Sequence, residues 1–193
     1  MEQMPTRRTI LKAATLASSS SLLKSQEVPL LESSGRAHKG FNVARGTSRR
    51  GEPMLLRGTD PTTIKVSGAD TEDQLVVFES TTSPGNGPGL HKHANQDEWW
   101  YVLEGEFVFQ VGEQKFRANA GASVFGPRTV PHSFLSVGTI PGKMIITFQP
   151  AGRMEAFFEE FAKVTTAQPD ATVNGSVYGI EGMGPRVTAD GVK

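Results

Sequence analysis

From Met54 onward, apolar runs of two to eight residues alternate with Gly, Pro, Asn and Asp punctuation. The runs fall at 64–66, 75–78, 99–103, 107–111, 123–125, 134–135 and 144–148, and they are rich in Val, Ile and aromatic residues. Short strands at this spacing predict an antiparallel, all-β sandwich or barrel rather than a parallel sheet with crossover helices. Residues 99–103 and 107–111 flank Glu104-Gly105-Glu106, which predicts a hairpin reversing at Gly105, and a second turn is expected at Gly112-Glu113. The period changes once. Between Arg153 and Lys163, Met154, Phe157, Phe158 and Phe161 recur at helical spacing with Glu155, Glu159 and Glu160 between them, predicting one amphipathic helix. Its aromatic stripe reads as core, packed on the barrel or on a second subunit.

The first residues do not share this pattern. Thr6-Arg7-Arg8-Thr9-Ile10-Leu11-Lys12 precedes a mildly apolar stretch that ends at Leu23 and is too short to span a bilayer. The string resembles a twin-arginine export signal, with Ile10 where Phe is more usual. It implies a bacterial periplasmic location after the signal is removed, with no stable membrane insertion. The chain then divides into an export signal and linker at 1–39, an N-terminal arm at 40–60, a barrel at 61–150 and a C-terminal helix and tail at 151–193.

Charge and composition narrow the chemistry. Twenty basic residues balance twenty acidic ones over the whole chain, and residues 40–193 keep 14 basic and 17 acidic, a net charge of −3. No nucleic-acid partner is expected of such a chain. The absence of cysteine excludes disulfides, Cys-ligated metal and a thiol nucleophile, so any metal must be held by His and carboxylates.

Three of the four histidines enter one pattern. His91 and His93 are two apart, so on a strand both imidazoles project from one face, as chelation requires. Glu98 follows at an odd offset, but the turn-rich Ala94-Asn95-Gln96-Asp97 can reset the parity and aim it at the same interior. Asp97 is the rival carboxylate, one residue of register away. Downstream, His132 begins a short strand and can point inward beside Phe134. Three neutral imidazoles and one carboxylate suit one divalent transition metal among Fe, Mn, Ni, Cu, Co and Zn, and in octahedral geometry they leave two positions open. Parity with Glu98 points Trp100 and Val102 inward, and parity with His132 does the same for Phe134 and Ser136. These four are the candidate substrate-pocket residues.

Gly85, five residues, His91-x-His93, four residues, Glu98, six residues and Gly105 resemble the first motif of the cupins. Gly121, five residues, Pro127 and then His132 resemble the second. In the family that motif continues with Gly two residues after the Pro and Asn four residues after the His, where this chain has Thr129 and Ser136. The resemblance covers about residues 60–150. It implies a single-domain jelly-roll barrel with His91, His93, Glu98 and His132 on a metal in its mouth. The C-terminal helix and the segment around Tyr178, Ile180 and Pro185 resemble the tails of small bacterial members described as quercetin dioxygenase-like.

The resulting expectation is a metal-dependent dioxygenase acting on a small aromatic or enol-bearing molecule, with Glu98 either remaining a ligand or swinging off as general base. The alternatives are a non-catalytic periplasmic metal or small-ligand binding protein, and a metal-dependent decarboxylase or isomerase, because this barrel serves many chemistries. A homodimer through the apolar face of the helix is also expected.

Overall fold

The computed structural model describes residues 36–168 and 171–192. The export-signal string therefore lies outside the described residues. Among the described residues, eleven strands form two antiparallel sheets. The first sheet has the order β1 (Met54–Leu56), β2 (Asp60–Val66), β3 (Val76–Thr82), β10 (Gly142–Gln149), β5 (Asp97–Glu104) and β8 (Ser123–Gly126). The second has the order β11 (Ile180–Gly184), β4 (Leu90–His93), β9 (His132–Ser136), β6 (Glu106–Val111) and β7 (Gln114–Asn119). Together they make the expected all-β jelly-roll barrel, and α1 (Met154–Ala167) is its one α-helix among the described residues.

Period-two burial explains why the sheets face each other. Val76, Phe78, Ser80 and Thr82 are buried on β3 while their neighbours are not, and Met144, Ile146 and Phe148 repeat the pattern on β10. Rings from the two sheets meet in the middle, with Trp100 of β5 5.3 Å from Phe109 of β6. Burying side chains of this size stabilises the barrel by roughly 1.5–3 kcal/mol each.

The turn at Gly105 is present, with φ +83, but β5 and β6 do not pair as the expected hairpin. β5 bonds to β10 and β8, whereas β6 bonds to β7 and β9. Both strands carry large inward side chains, and these are buried by opposing the strands across the core rather than pairing them edge to edge. Gly105 is a sheet-to-sheet corner. A Cβ there would lie 2.7 Å from Gly142 Cα. The second turn does close a hairpin, with Val111 opposite Gln114 and Gly112 at φ +59.

Two further elements lie outside the expected barrel. β1 sits within the segment read as an arm. β11 sits within the segment read as a tail and extends the second sheet beside β4, with Ile180 opposite His93 and Gly182 opposite His91. No helix of the described residues is long and apolar enough to cross a membrane.

Candidate metal centre

β4 delivers His91 and His93, β5 delivers Glu98 and β9 delivers His132. The break at 94–96 resets the parity between β4 and β5, so Glu98 is 4% exposed inside the barrel and Asp97 faces outward. Asp97 is taken up by Arg128: its Oδ1 accepts from the Arg128 backbone N–H at 2.8 Å and from Nε at 3.1 Å, and its Oδ2 from the other guanidinium nitrogen at 2.6 Å. That decides the register. β4 and β9 pair through His91 and His132 themselves.

One ligand atom from each of His91, His93, Glu98 and His132 lies within 4.8 Å of the other three. Glu98 Oε2 is 3.1 Å from His93 Nε2 and 3.0 Å from His132 Nε2, yet all three buried atoms lack a hydrogen bond. The tautomers make this informative. His91 Nδ1 is 2.9 Å from the Gly89 carbonyl and His132 Nδ1 is 3.0 Å from the Val130 carbonyl. A carbonyl only accepts, so each Nδ1 donates, and in a neutral imidazole Nε2 is then a lone pair. The His132 lone pair meets a carboxylate oxygen, acceptor against acceptor, in a site where unsatisfied polar atoms are costly. A cation at the common point removes that conflict. The residues fit a divalent transition metal.

Burial shapes the electrostatics. It lowers the His91 pKa to about 4, aided by the charges of His132 and His93 and opposed by the attraction of Glu98. Burial pushes the Glu98 carboxyl up, but the adjacent His132 and His93 outweigh it and bring it down to about 2. Both groups are therefore in the ligating form at neutral pH.

The four pocket candidates divide. Phe134 lines a cavity of about 520 Å³ that opens onto His91, His93 and Glu98. Trp100, Val102 and Ser136 point inward but are buried and are not among the residues that line it. Trp100 instead backs the candidate cluster, its ring 5.2 Å from that of His132. Strand parity separates inside from outside, but not the cavity from the packed core around it.

The helix expected to be plain core forms much of the cavity wall. Met154 is buried, whereas Phe157, Phe158 and Phe161 are half-buried and line the space. Glu155 docks α1 by accepting from the Gly68 backbone N–H at 2.6 Å and from Ser67 Oγ at 3.2 Å. At its other end Thr165 Oγ1 accepts the Arg57 N–H at 2.8 Å. A stripe of three Phe on a helix following a ligand-bearing barrel carries no signal in sequence that separates core from pocket.

The description "Cupin domain" belongs to the family model that matches residues 78–148. The uncharacterized protein MJ1618 of Methanocaldococcus jannaschii is 29% identical over 74 residues, 38% of this chain. That match spans 59% of the relative's length. Among solved structures, KdgF from Halomonas sp. is similar with a TM-score of 0.49 at 18% identity, over 58% of this chain and 94% of its own. An RmlC-like cupin from Shewanella frigidimarina NCIMB 400 has a TM-score of 0.47 at 24% identity, over 61% of this chain and 95% of its own. A predicted oxalate decarboxylase from Thermotoga maritima has a TM-score of 0.46 at 23% identity, over 47% and 80%. The domain match supports the cupin superfamily for the barrel.

Proposed function

We propose that the protein is a metal-dependent oxygenase of the dioxygenase type acting on a small aromatic or enol-bearing molecule. One observation carries the reading: a three-His, one-carboxylate cluster with orphaned ligand atoms stands at the wall of a mainly apolar cavity that several Phe rings line. His91, His93, Glu98 and His132 would hold a divalent transition metal, which would supply a Lewis acid for substrate and oxygen.

The chain's own residues do the rest. Gly89 and Val130 carbonyls fix the His91 and His132 rings so that each Nε2 faces the cluster. Glu98 is held ionised, which makes it a ligand and the nearest base for a substrate hydroxyl proton. Phe134, Phe148, Phe157 and Phe158 exclude water and offer flat faces to a ring. The cavity volume lies within the range for small-molecule sites, so substrates of one to three rings are admitted. The reading includes export by the twin-arginine route, resting on Arg7, Arg8, Leu11 and Lys12.

Oxygen uptake against a panel of flavonols and other enediols tests it. Uptake that requires the substrate and is lost in His91→Ala supports the reading. A metal-loaded protein inert to oxygen across the panel, or one that turns substrate over equally without oxygen, contradicts it.

A further inference from the structure

The strand that carries His91 and His93 leans on its two neighbours unequally. β4 pairs with β9 at one register position, His91 opposite His132. On its other side every residue of β4 has a partner in β11: Ile180 faces His93, Glu181 faces Lys92, Gly182 faces His91 and Gly184 faces Leu90. β11 lies beyond residues 78–148, the stretch matched to the cupin domain.

The pairing continues past both ends of the strands. The Ala94 N–H donates to the Gly179 carbonyl at 2.9 Å, and the Leu90 N–H to that of Pro185 at 3.3 Å. Arg186 Nη1 donates to the Gly87 carbonyl at 3.1 Å. Ser133 Oγ accepts the Val187 N–H at 3.1 Å while donating to the Pro88 carbonyl at 3.0 Å. Residues 179–187 therefore bracket β4, the loop 87–89 before it and the residue that follows His132. The loop matters because the Gly89 carbonyl accepts the His91 Nδ1 proton and so aims Nε2 at the cluster. Gly184 is packed close against it, for a Cβ on Gly89 would lie 3.1 Å from the Gly184 carbonyl oxygen.

This segment is itself lightly anchored. Ile180 and Val187 are buried, but residues 181–185 are exposed, and Gly179, Gly182 and Gly184 each lose backbone freedom on docking. An edge strand of this kind opens locally at lower cost than the barrel does. We infer that residues 179–187 form a positioning clamp for the metal centre, so that docking of this strand and binding of the metal strengthen one another. The clamp supplies no ligand and acts through β4 and the Gly89 carbonyl. Reciprocity is required: the factor by which the docked strand raises metal affinity is the factor by which bound metal favours docking. The inference rests on the proposed metal centre and not on oxygen chemistry.

Hydrogen exchange of the full chain, read by mass spectrometry with and without Zn2+, tests the coupling on the unaltered sequence. Amides of 179–187 should exchange about tenfold more slowly with the metal, as expected of an outer support. Those of β7, at the opposite edge of the same sheet, should slow less. Two variants read the reverse direction. Because the Ala94 N–H bonds Gly179, the alternation of an antiparallel ladder makes Lys92 and Glu181 the next bonded pair. Glu181→Pro removes that N–H, whereas Glu181→Ala keeps it and gives up only a partly exposed ion pair with Lys92. Competition with a chromophoric chelator should show Zn2+ affinity about tenfold lower in Glu181→Pro and unchanged in Glu181→Ala. Exchange at 179–187 that ignores the metal or slows no more than β7, or equal affinity in the two variants, overturns the clamp. The exchange result decides alone if Glu181→Pro does not fold. A full chain that takes up no Zn2+ overturns the metal centre and the clamp with it, so the two failures are told apart.

Discussion

The backbone N–H of Thr129 donates to the carbonyl oxygen of His93 at 2.8 Å, and Thr129 makes this bond at φ +67. One hydrogen bond thus ties the loop that leads to His132 to the strand that holds two other residues of the cluster. A β-branched residue in the left-handed region is strained by roughly 1–2 kcal/mol. This is the position where the second cupin motif has Gly, so the chain keeps the geometry without the residue that adopts it freely.

Thr129→Gly should therefore stabilise the protein. The relieved strain exceeds the added backbone entropy of Gly, leaving a net gain of about 0.5–1 kcal/mol. Thermal unfolding should show a rise of roughly 2–4 °C for a domain of this size. A lower midpoint would show that Thr129 is not strained.

Gly126 lies opposite Glu98 in the β5–β8 ladder. A Cβ there would stand 2.8 Å from Trp100 Cη2, 2.9 Å from Trp100 Cζ3 and 3.2 Å from His132 Nδ1. Trp100 is 1% exposed and has nowhere to retreat. Gly126→Ala should cost about 1–3 kcal/mol from overpacking and should weaken metal binding by displacing the His132 ring. Normal affinity in a folded Gly126→Ala protein would contradict the packing described.

Asp97 and Arg128 are both partly exposed, at 30% and 47% of their side-chain surface, so their ion pair should contribute less than about 1 kcal/mol to stability. Its role is positional, because it fixes the start of β5 against the loop before His132. Asp97→Asn should leave the unfolding midpoint nearly unchanged while lowering metal affinity about tenfold, as loss of an outer support does. Competition with a chromophoric chelator measures this, and unchanged affinity would refute it.

The pH response of the metal-free protein has a definite sign. His91 titrates near 4 when folded against an ordinary 6.5, so between those values the unfolded chain binds more protons and stability falls as pH falls. Glu98 titrates near 2 against an ordinary 4.5, so its contribution is complete above about 4.5 and is lost as pH drops toward 2. Both push the same way. Denaturant unfolding from pH 7 to 4 should show steadily declining stability, and His91→Asn should flatten the decline. A stability that rose on acidification would reverse the assignment of His91 as a buried neutral ring.

Local chemistry was legible where it is local. His91 and His93 share a face because strands alternate, so spacing alone brings them together, whereas the choice of Glu98 over Asp97 turns on one residue of register that the break at 94–96 sets. What stayed hidden depends on non-local pairing. Nothing near Gly105 distinguishes a hairpin from a corner between sheets, because the choice is made by β10 and β9, which arrive some thirty residues later. β11 beside β4 and the Phe stripe of α1 over the barrel mouth are hidden for the same reason. Trp100 shows the other limit, since inward parity brings it to the back of His132 rather than into the cavity.

The most direct test of the metal centre is elemental analysis of the full chain, with the same measurement on His132→Ala and Glu98→Gln. The account predicts one transition-metal ion per chain, retained through dialysis, and less than about a tenth of that occupancy in each variant, consistent with loss of a ligand. Substoichiometric metal in the unaltered protein, or equal metal content in the variants, would contradict it.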